Sequence, residues 1–112
     1  MPLVDARGLE AELQRFANER GFERYHSPKN LAMALTGEVG ELVEIFQWMT
    51  EDQSRQAMAD SATARHIREE LADVLIYVVR LASKLGIDLD AAVADKLAKN
   101  AAKYPDGSRP SR

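Results

Sequence analysis

The stretch SPKNLAMALTGEVGELVEIFQWM, residues 27–49, decides the fold class. Ser27 can accept a hydrogen bond from the free amides of a helix start, and Pro28 suits a first turn, so a long helix is expected from there to about Met49. At about 100° per residue, Leu31, Leu35, Leu42, Ile45 and Met49 share one narrow apolar stripe. Glu38 falls in the middle of that stripe and Glu41 at its edge, beside Ala34 and Ile45. Glu44 turns farther round toward the polar side. Two acids are thus out of place on a face that must be buried.

Working outward, Leu9, Leu13 and Phe16 recur at three- and four-residue spacing and predict a helix from about Asp5 to Arg20, ended by Gly21. Residues 22–26 connect it to the second helix. Residues 50–60 are polar and of mixed charge, and read as a connection with room for a short helical turn. A third helix is expected from about Ser61 to Leu85, closed by Gly86, and a fourth, capped by Asp88, to about Lys103. The expected architecture is all-α, an antiparallel four-helix bundle over residues 1–104, with 105–112 as a mobile tail. Helices this short leave apolar faces that one chain cannot cover, so a homo-oligomer, dimer or tetramer, is expected.

At 112 residues the chain has room for one domain with a core. It has no cysteine, which excludes disulfides and thiolate metal sites and is compatible with a reducing cytoplasm. The formal charge of -3 is spread over both signs, so no basic field for long nucleic acid exists. Neither a signal peptide nor a membrane-spanning run is expected.

In the third helix Ile67, Leu71, Val74, Leu75, Val78, Ala82 and Leu85 make the apolar stripe, and Glu70, Asp73 and Tyr77 form a line beside it. Each long helix therefore carries an acid pair three residues apart near its packing face. If the two are antiparallel neighbours, four carboxylates converge, at a high cost without a cation between them. An oxygen-only ligand set suits magnesium or manganese. The metal would then bridge an acidic protein to a polyanionic ligand.

The segments GEVGELVEIFQW at 37–48 and EELADVLIY at 69–77 resemble the MazG-like nucleotide pyrophosphohydrolases, most closely their dCTP pyrophosphatase branch. The similarity extends to residues 20–31 and 95–105. It implies a magnesium site at Glu38, Glu41, Glu70 and Asp73, and cleavage of a nucleoside triphosphate, dCTP or a modified dCTP, to the monophosphate and pyrophosphate. Glu41 is implied as the acid nearest the attacking water, with Glu38 beside it. Substrate contacts are implied at Trp48 and Tyr77 around the base, with Phe22 where relatives often have Trp. Lys96, Asn100 and Tyr104 on one face of the last helix are implied contacts to phosphate or sugar, and Lys29 and Asn30, at the start of the second helix, are candidates for holding substrate near a helix N-terminus. Phe22 and Leu13, the latter where some relatives have His, both depart from the branch pattern at the base. Glu23 and His26 form an E-x-x-H of the di-iron type, but Thr63 precedes His66 where a second copy would need an acid. A competing reading is a non-catalytic helical module that acts by binding or oligomerisation, though such a module gives no reason to keep four converging acids.

Overall fold

The computed structural model describes residues 2–105. Its helices are α1 (Arg7–Glu19), α2 (Pro28–Phe46), α3 (Glu51–Arg55), α4 (Ser61–Leu85) and α5 (Leu89–Lys103), with 3-10 turns at Glu23–Tyr25 and Ala57–Ala59. The described residues contain no strand, and the chain is all-α as its periodicity requires. Most of the expected tail, residues 106–112, lies outside the described residues.

Local chemistry sets the boundaries. Ser27 Oγ accepts from the Asn30 amide, with Pro28 behind it, and starts α2. Asp60 accepts from the Thr63 amide and hydroxyl and starts α4, and Asp88 accepts from the Ala91 amide and starts α5. Gly86, at φ 67°, closes α4 in the left-handed conformation that costs a residue without a Cβ nothing. α2 stops at Phe46, three residues before the predicted Met49. Thr50 explains why: its hydroxyl accepts from the Gln53 amide while the Gln53 side chain accepts from the Thr50 amide. That reciprocal cap requires an extended Thr50 and opens α3, so the preceding residues must leave the helix.

α2 and α4 form the main packed pair, and α1 lies on α4. The pair is antiparallel. Arg80, late in α4, reaches His26 just ahead of α2, whereas Glu70, early in α4, meets Glu38 and Glu41 in the second half of α2. Leu31 of α2, Ile67, Val79 and Ala82 of α4 and Ala17 of α1 are buried in the core. Asp90 of α5 accepts from the Leu3 and Val4 amides and ties the N-terminal strap to the start of α5.

The stripe predicted for α4 needs correction. Leu71 and Leu75 are 52% and 53% exposed, while Glu70 and Arg80 are buried. Within one chain α4 therefore buries Glu70 and Arg80 as well as Ile67, Val79 and Ala82, and part of its apolar stripe faces outward. Val39 and Val43 of α2, Leu97 of α5 and Trp48 are exposed as well.

Candidate metal centre and the adjoining aromatic cavity

One turn of α2 separates Glu38 from Glu41, so their side chains leave the helix on the same side. Antiparallel packing brings Glu70 of α4 against them, and carboxylate oxygens of Glu38, Glu41 and Glu70 lie within 4.8 Å of one another. Glu70 is 8% exposed, Glu38 half-buried and Glu41 exposed. Glu38 Oε2 and Glu70 Oε2 are buried without any hydrogen-bond partner. Two orphaned carboxylate oxygens beside a third acid are what a hard divalent cation would complete, and oxygen ligands suit magnesium. Asp73 is not within this tight group of three, but its charge acts on both Glu38 and Glu70. His66 Nε2 stands 3.6 Å from Glu70 Oε1, at the rim of the cluster. Glu44 is exposed, on the polar side as predicted.

Crowding shows in the acid strengths. Burial, then the negative charges of Glu41 and Asp73, push Glu38 up to about 7. Burial and the neighbouring Glu41 also raise Glu70. For Glu38 the folded value lies above the unfolded 4.5, so between about 4.5 and about 7 the folded chain keeps a proton that the unfolded chain has released. The metal-free protein is accordingly expected to lose stability as pH rises through that window and to level off above it. A cation displaces that proton, so the gain in melting temperature from magnesium should widen over the same window. Melting curves at about pH 5 and pH 8, with and without magnesium, check this; an equal magnesium gain at both would contradict it.

Farther along α4, Tyr77 borders a cavity of about 200 Å³ formed with Leu13 and Phe16 of α1, Phe22 and His26 of the connection, and Ile76 and Arg80 of α4. The Phe22 ring is tilted against Phe16 and against His26, each at a centroid distance of 6.0 Å. This volume is below that of pockets holding drug-sized ligands and suits a single flat ring. Tyr77 follows Asp73 by one turn and Glu70 by two, which sets the cavity roughly 10 Å along the helix from the acids.

A sequence model of the MazG-like family matches residues 34–109, which include all four acids, Trp48 and Tyr77. The chain belongs to the MazG-like family. Within it, the chain is 46% identical to human dCTP pyrophosphatase 1 and 44% identical to the Bos taurus protein of that name, over 92% of this chain in each case. It spans 59% of the length of those two relatives. A pyrophosphatase structure from Archaeoglobus fulgidus superposes with a TM-score of 0.82 at 40% identity, covering 88% of this chain and 91% of the other. The MazG-like helical arrangement is thus matched nearly end to end in a solved structure.

This MazG-like chain brings some predicted site residues together and leaves others apart. Glu38, Glu41 and Glu70 meet, and Phe22 and Tyr77 share the cavity. Trp48, 87% exposed beyond the end of α2, does not border that cavity. Lys96, Asn100 and Tyr104 lie on or just past α5, and none of them borders it either. Lys29 and Asn30 are exposed in the first turn of α2, where the Asn30 side-chain amide donates to the Tyr25 carbonyl at 3.0 Å. Asn30 therefore braces the connection.

Arg80, not among the residues expected at the site, is 2% exposed and borders the cavity. The signal was present: extending the line Glu70, Asp73, Tyr77 by alternating steps of three and four gives Arg80 and Lys84. Among the described residues no helix is long and apolar enough to cross a membrane.

Proposed function

We propose that this chain is a magnesium-dependent nucleoside triphosphate pyrophosphatase acting on dCTP or a modified dCTP, with manganese as a possible substitute. The observation that carries the reading is the convergence of Glu38, Glu41 and Glu70 with two buried, unpartnered oxygens, in a chain 46% identical to human dCTP pyrophosphatase 1. Glu38, Glu41, Glu70 and Asp73 hold the metal. Once bound, magnesium supplies positive charge to the phosphate oxygens and lowers the pKa of a bound water.

The protein's own groups divide the remaining work. Glu41, the exposed member of the cluster, takes a proton from the attacking water, while the more buried Glu38 and Glu70 anchor the cation. The cavity at Phe22 and Tyr77 receives the base, and its offset of about 10 Å from the acids matches a base on one side of a ribose and phosphates on the other. Lys96, Asn100, Tyr104 and Lys29 contact phosphate or sugar. A non-catalytic module leaves the orphaned carboxylates unexplained.

The working unit is a homo-oligomer in the cytoplasm, with residues 1–104 as one domain. Exposed Val39, Val43, Leu71, Leu75 and Leu97 support a second copy. Incubating dCTP with the protein and magnesium is expected to yield dCMP and pyrophosphate in equal amounts, with slower turnover of dATP and dGTP. Release of orthophosphate, or no product from any of these triphosphates, would overturn the assignment.

A further inference from the structure

Arg80 spends its guanidinium on three elements at once. Its Nε donates to His26 Nδ1 at 3.0 Å, its Nη1 to Gln14 Oε1 at 2.7 Å and its Nη2 to Glu23 Oε2 at 2.5 Å. Glu23 is held in turn by Lys84 and by the Gln14 side-chain amide. These donors, with Lys84 first, keep the Glu23 carboxyl at about 2 and so ionised. A buried cation is thereby paired within a network that locks α1, the connection and the entry to α2 onto α4.

The network also fixes a tautomer. Arginine has donors only, so the His26 Nδ1 that receives its Nε hydrogen is bare, and the neutral ring carries its proton on Nε2. Burial and the adjacent Arg80 charge hold His26 below its ordinary pKa, which keeps the ring neutral. Gln14 does not border the cavity, and its side chain is engaged with Arg80, Asn18 and Glu23. Arg80 is too deeply buried to meet a ligand broadly. Tyr77 has a hydroxyl that turns to suit either partner. Directional selectivity at the cavity therefore falls to His26, backed by the positive charge of Arg80.

We propose that His26 reads the base: its Nε2 hydrogen, aimed by Arg80, donates to the N3 atom of a cytosine ring seated in the cavity. Cytosine N3 is an acceptor, whereas N3 of uracil or thymine carries a hydrogen and would face a donor across the contact. Arg80 is the positioning residue of this pair. The inference rests on the pyrophosphatase reading above and names what sets its base preference.

Magnesium-dependent pyrophosphate release by wild type, His26→Phe and His26→Gln, with dCTP, dUTP and 3-deaza-dCTP, tests it. In the wild type, replacing N3 by CH should cost dCTP about tenfold in kcat/KM, chiefly through KM. His26→Phe should lose about tenfold on dCTP and nothing further on the 3-deaza analogue, and its preference for dCTP over dUTP should fall by a similar factor. His26→Gln, which keeps a donor near Nε2, should restore most of that preference. Equal rates for dCTP and its 3-deaza analogue in the wild type would overturn the proposal without any variant having to fold. Parallel losses on all three substrates in His26→Phe would overturn it as well, by making His26 structural. No pyrophosphate from any substrate with wild type would instead sink the underlying activity, and the inference with it.

Discussion

Glu41→Gln is expected to lower kcat for pyrophosphate release by about a hundred- to ten-thousandfold, the range for removing a positioned general base. The amide keeps the shape of the carboxylate and takes away its negative charge and its capacity to accept a proton. Because Glu41 is the exposed acid of the three, water reaches it most easily, whereas Glu38 and Glu70 are committed to the interior. Removing its charge also relieves repulsion that raises both Glu38 and Glu70, so the metal-free variant should melt no lower than wild type. Rate and melting temperature thus move independently. An unchanged rate, or a loss of rate that merely tracks unfolding, would remove Glu41 from the chemistry.

Magnesium should stabilise the fold by mass action. At a concentration a hundred times its dissociation constant, a ligand that binds only the folded state adds about 2.7 kcal/mol. For a chain of this size that is a rise in melting temperature on the order of 10 °C. Sodium chloride at matched ionic strength should give little of it, since screening alone leaves the buried oxygens of Glu38 and Glu70 unpartnered. Glu38→Gln should lose most of the response, because Glu38 supplies one of those oxygens. A variant that responds to magnesium as wild type does would place the cation elsewhere.

The helices were legible because their ends are written in neighbouring residues. Ser27 before Pro28, Gly86 after Leu85 and Asp88 before Leu89 are local signals, and the helices begin or end there. Met49 fell outside α2 because the cap of Thr50 on Gln53 competes with helix continuation, a contest that apolar periodicity does not register. Glu38 stood out as an acid inside an apolar stripe, and its position against Glu41 and Glu70 follows from two antiparallel helices. The inward direction of α4 was harder to read. Leu71 and Leu75 are as apolar as any core residue, yet within the chain the Glu70 and Arg80 face is buried, since Gln14, Glu23 and His26 satisfy the guanidinium. Those partners are 54 to 66 residues away in sequence, beyond any local pattern. Trp48, by contrast, is easy to pick out in sequence, yet it stands exposed beyond the end of α2 and away from the cavity, because α2 ends two residues before it.

The proposed chemistry depends on α2 and α4 holding a divalent cation between them. Anomalous diffraction from crystals soaked in manganese tests it most directly. The predicted result is a manganese peak bonded to carboxylate oxygens of Glu38, Glu41 and Glu70. A site free of manganese, with the ion instead among other surface acids such as Asp5, Asp88 and Asp90, would contradict it.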